Sequence, residues 1–115
     1  MSNPGTQPFC YLTTVGRVSG RPHTIEIWFA LDGRTLYMLA GGGYAADWVK
    51  NLVRNPEVGL RLRDTEFGAR ARVVEQADED ALARRLVVGK YQPRDSDDLS
   101  DWGRTALPVA VDLLL

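Results

Sequence analysis

Hydrophobic positions along the chain change period several times, and each change marks an element. Residues 9–15, FCYLTTV, are rich in β-branched and aromatic side chains and read as a strand. Residues 24–31, TIEIWFAL, alternate. Ile25, Ile27, Phe29 and Leu31 fall on one face, and Thr24, Glu26, Trp28 and Ala30 on the other. Asp32-Gly33 is a tight-turn signal, and RTLYMLA returns as a third strand. The period then lengthens. Ala45, Trp48, Val49, Leu52 and Val53 follow helical spacing, and Asn55-Pro56 ends that helix, because proline disfavours helical geometry in the residue before it. EVGLRLR alternates again, with Val58, Leu60 and Leu62 inward and Arg61 and Arg63 outward. Asp64-Thr65-Glu66 turns the chain into FGARARVV and places Arg61 opposite or close to Arg70. Such a like-charge pair calls for neutralisation by a partner or a ligand's acidic tail, or else for two side chains extended into water. Asp78 is the expected N-cap of a second helix, EDALARRLVV, with Gly89 near its end. Residues 91–103 read as an acidic loop. RTALPVAVDLLL reads as a last strand, in which Pro108 suggests an edge or a bulge.

The resulting order is β-β-β-α-β-β-α-β. Short turns join most strands, so the sheet is mainly antiparallel. Six strands in so short a chain hide their edges most easily by curling into a small barrel. The expected fold is therefore mainly β (α+β): six antiparallel strands with two helices. Residues 1–8, with two prolines, form a flexible N-terminal arm, and residues 9–115 a single domain.

Composition narrows the function classes. The 115 residues are 44% hydrophobic and 25% charged, with net charge −1, an ordinary balance for a globular protein and a poor one for a dedicated nucleic-acid binder. Nearly all the positive charge is arginine, since Lys50 and Lys90 are the only lysines, and arginine's planar fork suits carboxylate and phosphate. Cys10 is the only cysteine, which fits a reducing compartment. No signal peptide and no apolar run long enough to cross a bilayer is present, so a cytoplasmic location is expected.

The candidate chemistry lies in two turns. A hairpin connection needs only two residues, yet Gly16–His23, GRVSGRPH, has two glycines, two arginines, a serine, a proline and the only histidine. Gly16 and Gly20 tolerate positive φ and Pro22 stiffens the exit. Backbone N–H groups, the Ser19 hydroxyl and the Arg17 and Arg21 guanidiniums are able to converge on a phosphate. The competing reading is a solvated hairpin. His23 stands alone, whereas a catalytic zinc normally takes three protein ligands, so no metal site is expected. The second turn, Ala40-Gly41-Gly42-Gly43, joins a strand to a helix. It permits close approach of a ligand to backbone at a helix N-terminus, or is a flexible connector. Trp48 reads as core or as site. Trp28 must cover a second layer, a partner subunit or a planar ligand. Tyr91 is a proton donor over a pocket or a packing residue. No nucleophile elbow, Walker motif or dinucleotide fingerprint is present, so any chemistry belongs to a bound cofactor.

Three stretches, YLTTVGRVSGRPHTIEIWFALDGRTLYMLAGGG, DWVKNLVRNPEVGLRL and RTALPVAVDL, together resemble the deazaflavin-dependent nitroreductase and quinone reductase family of the split β-barrel, flavin-reductase-like proteins. The resemblance implies a six-stranded antiparallel split β-barrel that binds coenzyme F420 and transfers hydride to a quinone, a nitroaromatic or a similar electron-poor acceptor. It places Arg17, Ser19, Gly20, Arg21, Pro22 and His23 near the cofactor's phosphate and acidic tail. Ala40, Gly41, Gly42 and Gly43, with Trp48 and Asn51, lie beside the cofactor groove, and Tyr91 falls close to the hydride-transfer site. Val18 stands where the family often carries lysine or arginine. The alternative within the same fold is an FMN-binding or fatty-acid-binding protein without turnover. A homodimer is expected, with Trp28 as the spare aromatic at its interface.

Overall fold

Residues 24–31 keep the two faces that their alternation predicts, but the strand breaks in the middle. In the computed structural model, which describes residues 4–115, β1 (Cys10–Val15) pairs with β2 (Pro22–Ile27). The chain then leaves the ladder at Trp28 and Phe29 and resumes as β3 (Ala30–Asp32). β4 (Thr35–Ala40), α1 (Asp47–Arg54), β5 (Glu57–Leu62), β6 (Thr65–Val73), α2 (Ala77–Tyr91), α3 (Ser100–Thr105) and β7 (Leu107–Leu113) follow. The strands form one antiparallel sheet in the order β2-β1-β5-β6-β7-β4-β3. β2 and β3 are its two outer strands, so the chain crosses from one edge of the sheet to the other within two residues. That crossing curls the sheet into an open barrel, and it is why there are seven strands where the unbroken pattern predicts six.

The break leaves the backbone of Phe29 without a ladder partner, and α2 supplies one. The Tyr91 hydroxyl accepts from the Phe29 N–H at 3.0 Å and donates to the Pro8 carbonyl at 2.8 Å. The Lys90 ammonium donates to the Phe29 carbonyl at 2.8 Å and lies 3.7 Å from the centre of the Phe29 ring. Burying these groups unpaired would be costly, so the stitch is what makes the break tolerable.

Two apolar layers hold the sheet. Ile25, Ile27, Phe29 and Leu31 pack inside the barrel with Leu12, Leu60 and Val111, as their shared face predicts. Ala30, Tyr37, Leu39 and Ala110 face the other way, onto Ala83, Val87 and Tyr91 of α2. β4 and β7 are therefore covered on both faces, which explains their nearly unbroken apolar runs. Among the described residues no helix is long and apolar enough to cross a membrane.

Several expectations are corrected. A two-residue turn, Arg63-Asp64, sets the β5–β6 register, so Arg61 lies opposite Glu66, and Arg70 lies between Glu57 and Asp112. Both arginines face outward, but the like-charge pair does not form. Asp78 is not the N-cap of α2. Gln76 holds that place, and Asp78 lies in the first turn, where its charge still favours the helix dipole. Residues 91–103 are not simply a loop, since they contain a 3-10 turn, Gln92–Arg94, and most of α3, the third helix. β7 is interior rather than an edge. Pro108 is tolerated because it sits where the β6 ladder is ending, its carbonyl accepting from the Val74 N–H at 3.0 Å.

On the outer face, Arg72 joins Glu79 of α2 to Asp112 of β7, and the Tyr37 hydroxyl donates to Glu79 at 2.8 Å. The Arg72 guanidinium holds the Glu79 carboxyl at about 2, below its usual 4.5. A depressed carboxylate stabilises the fold fully above its unfolded value and loses that contribution as pH falls through its folded one. We expect the denaturant midpoint to drop as pH falls from about 4.5 to about 2. Glu79→Gln should flatten that drop by on the order of 1 kcal/mol, the network being partly open to water.

Candidate functional site

The β1–β2 connection is a folded loop rather than a loose hairpin. Its last ladder pair is Val15 with Pro22. Beyond it the Gly16 N–H donates to the Arg21 carbonyl at 2.8 Å, and the Gly20 N–H to the Gly16 carbonyl at 2.9 Å. The Arg21 N–H donates to the Ser19 hydroxyl oxygen at 3.1 Å. Gly20 adopts φ 71°, which favours glycine. Gly16 is buried beneath the loop, where a Cβ would stand 2.6 Å from Ser19 Oγ and 2.8 Å from His23 Nε2. Its bare α-carbon lets those two side chains close over it, with Ser19 Oγ 3.5 Å from His23 Nε2.

Arg17 ties this loop to α1. Its backbone N–H and its Nη1 both donate to Asn51 Oδ1, at 3.2 and 2.9 Å, and its Nη2 donates to Asp47 Oδ1 at 3.2 Å. Asn51 in turn donates through Nδ2 to the Thr14 hydroxyl of β1 at 3.2 Å. Asn51 and Thr14 are the two buried polar side chains of the described core, 5% and 1% exposed. Burial of an amide is favourable only when its hydrogen bonds are made, and here Asn51 fixes the loop, the helix and the strand to one another.

Between loop and helix lies a cavity of about 680 Å³. Arg17, Ser19, Pro22, His23, Trp48 and Asn51 are among its lining residues. The backbone N–H groups of Val18 and Ser19 take no protein partner among the described residues. Arg21 is exposed and, among the described residues, in no ion pair. Val18, Ser19, His23 and Arg17 thus bring to the lining of one cavity two N–H groups without a partner among the described residues, a hydroxyl, a ring nitrogen and a guanidinium, with the Arg21 guanidinium on the same loop. Among the described residues Asp47 is the only carboxylate lining that cavity. This chemistry suits an anionic group.

Most of the residues that the sequence singles out meet here, but not all. Gly20 and Arg21 belong to the same loop without lining the cavity. Trp48 is half-buried, packing partly on the core and partly lining the cavity. Ala40, Gly41, Gly42 and Gly43 do not line it either. They lead through a 3-10 turn, Gly43–Ala45, into α1. Tyr91 is not in the cavity. It is 3% exposed, and its hydroxyl is committed to Phe29 and Pro8, so the expected proton donor is occupied. Trp28 stacks on Tyr91 with ring centres 4.3 Å apart and meets Trp102 edge to face at 5.8 Å. Part of its cover comes from α2 and α3 of the same chain, and it remains 37% exposed. The sequence reading missed Thr14 and Asp47. A threonine on a strand and an acid at a helix start are too common to stand out without the Asn51 that joins them.

Residues 3–113 match the family described as F420H(2)-dependent quinone reductase. An F420H(2)-dependent quinone reductase of Mycobacterium tuberculosis is 31% identical over 114 residues, spanning 96% of this chain and 75% of that protein. A solved F420-H2 dependent reductase, FDR-A, is 21% identical over 92% of this chain and 94% of its own, with a TM-score of 0.73. A structure described as a domain-swapped dimer is 22% identical over 92% of this chain and 80% of its own, with a TM-score of 0.74.

Proposed function

Because this chain belongs to the F420H(2)-dependent quinone reductase family, it is an oxidoreductase that uses coenzyme F420, and we propose that it reduces a quinone with the cofactor's acidic end held between the β1–β2 loop and α1. The observation that carries the reading is the Arg17 bridge. A guanidinium fixed by Asn51 and Asp47 stands at a cavity also lined by Val18 and Ser19, whose N–H groups have no partner among the described residues. Preorganised donors of this kind hold a phosphate or carboxylate at little cost in ordering.

When bound, coenzyme F420 supplies the hydride. The chain's residues bind and orient. Val18 and Ser19 offer N–H groups to the phosphate, and Arg17 and Arg21 offer positive charge to the acidic tail. Trp48 presents a half-buried ring to a flat ligand at the same cavity. Asn51 holds Arg17 in place rather than touching the ligand. Tyr91 holds the barrel seam. No protein nucleophile is required, because a hydride carrier needs only placement against its acceptor.

Titration of the purified chain with F420 and with flavin mononucleotide, followed by tryptophan fluorescence, tests the site. Reduced F420 mixed with menadione tests turnover through the return of the oxidised cofactor's absorbance. Saturable F420 binding with turnover is the expected result. Binding without turnover would make the chain a carrier, and absence of F420 binding would remove the reading altogether. Val18 is 92% exposed and lines the cavity, so Val18→Arg should tighten F420 binding severalfold, the effect of one added charge near an anion. Unchanged affinity in that variant would place the acidic tail elsewhere.

A further inference from the structure

A second cavity, of about 510 Å³, lies where α1, β6 and the start of α2 meet. It shares no lining residue with the cavity at the β1–β2 loop, although α1 serves both. Asp47, Trp48 and Asn51 line the first, and Leu52 and Val53 line the second. Its walls are largely apolar. Tyr44 and Val53 belong to them and are 60% and 59% exposed. The core needs only Val49 and Leu52 from this side of α1, and both are buried, so Val53 is left over at the cavity. Two exposed apolar side chains at one concavity mark a place where something else packs.

The polar part of the lining is the reverse of that at the first cavity. Arg72 is its guanidinium, and Nε, Nη1 and Nη2 each already donate to a carboxylate, of Asp112 or Glu79. Nothing cationic is therefore left to receive an anion. The Glu75 carboxylate is exposed and has no partner among the described residues. Gln76 stands at the N-cap of α2 without a side-chain cap bond, so its amide is free as well. Glu75 and Glu79 face a single, already paired guanidinium, and the polar end of the cavity is net negative. The positive end of the α2 dipole lies at the same corner, and Asp78, Glu79 and Asp80 in its first turn offset it.

We propose that this cavity is a second binding site, for a small organic cation in which an ammonium group is carried on an apolar body, with the charge at Glu75 and Gln76 and the body against Tyr44 and Val53. An ammonium group only donates hydrogen bonds, so it suits a free carboxylate and an amide oxygen. The Tyr44 ring adds the attraction of an aromatic face for a cation. The apolar body covers surface that the fold itself leaves in water. An anion meets Glu75 and Glu79 with no free guanidinium to offset them, and a neutral body of the same shape gains the wall without the charge. The site stands apart from the cofactor reading, because none of its residues is asked to hold F420.

Three probes of one shape test it: benzylamine, benzyl alcohol and benzoate, each titrated at neutral pH into the full chain without F420. Backbone amide NMR reads both the affinity and the place of binding. Benzylamine should shift the amides of Tyr44, Val53, Glu75 and Gln76 saturably. Benzyl alcohol should bind there several-fold more weakly, and benzoate not at all. Glu75→Gln should weaken benzylamine about three- to tenfold, the range of a charge-assisted contact partly open to water, and leave benzyl alcohol unchanged. Val53→Ser should weaken both. Neither variant should alter F420 affinity. Shifts that are absent from these amides overturn the site, and so does benzoate binding as well as benzylamine. Benzylamine affinity unchanged in Glu75→Gln also overturns it. Broadening of the Tyr44 and Val53 amides with protein concentration alone assigns the patch to a second copy of the chain and overturns it too. If Val53→Ser does not fold, the ranking of the three probes on the unmodified chain decides.

Discussion

Tyr91→Phe is expected to destabilise the fold by about 1–3 kcal/mol, and Tyr91→Ala by about 3–5 kcal/mol. The smaller change removes only the hydroxyl. It leaves the Phe29 N–H without a partner at the point where the chain leaves one edge of the sheet for the other, and the Pro8 carbonyl loses its donor. The Phe29 carbonyl keeps Lys90, so one buried donor, rather than a whole peptide unit, is orphaned. The larger change also removes a ring that is 3% exposed and stacked under Trp28. Chemical denaturation of the three proteins measures both effects. The comparison separates two roles for this residue. A proton donor would lose turnover in Tyr91→Phe at unchanged stability, whereas a stitch loses stability first. Burial also pushes the Tyr91 hydroxyl up from its ordinary value of 10, which keeps it protonated and bonded rather than ready to ionise.

Arg17→Ala is expected to weaken F420 binding by about 1–3 kcal/mol, roughly 5- to 160-fold, the scale of a charge-assisted hydrogen bond. The same substitution removes the side-chain bond to Asn51 and the contact with Asp47. The backbone N–H survives the change, so one side-chain bond to the amide and the surface ion pair are lost, about 0.5–1.5 kcal/mol of stability. Arg21→Ala provides the contrast. The Arg21 side chain has no partner among the described residues, so its loss should reduce affinity without moving the melting temperature. Affinity unchanged in both variants would move the anion away from this loop. From exposure alone the two arginines look equivalent, and only the contacts with α1 distinguish them.

What could be read from the sequence follows a physical line. Alternation in EVGLRLR and the spacing of Trp48, Val49 and Leu52 reflect local burial, and both elements formed, whereas Ala45 lies in the 3-10 turn before the helix and Val53 is exposed. The break at Trp28 could not be read, because Phe29 and Leu31 still face the barrel interior on either side of it. The periodicity is preserved while the hydrogen-bond ladder changes edges, and only the Tyr91 hydroxyl reports the change. Register was lost at Arg63-Asp64 for a similar reason, since a turn one residue earlier than Asp64-Thr65-Glu66 is equally polar. α3 was hidden by its length, six residues with one glycine, and its position depends on Arg84 from another helix. At the site, the unusual loop was visible from its residue types. The amide that organises it was visible only through the family resemblance, and Thr14 and Asp47 were not visible at all.

The position of β7 has a consequence for how the chain assembles as it is made. β7 is the last strand in chain order, yet it lies between β6 and β4. Without it the sheet is two fragments, β2-β1-β5-β6 and β4-β3, each ending in an unpaired row of peptide groups. The hairpins β1–β2, β3–β4 and β5–β6 close locally and are free to form early, during synthesis. The fragments cannot join until Leu107–Leu113 is available, so completion of the barrel waits for the last strand in the order. During that interval the edges of β6 and β4 are open to strands of other chains, and this is the stage at which association of nascent chains competes with folding.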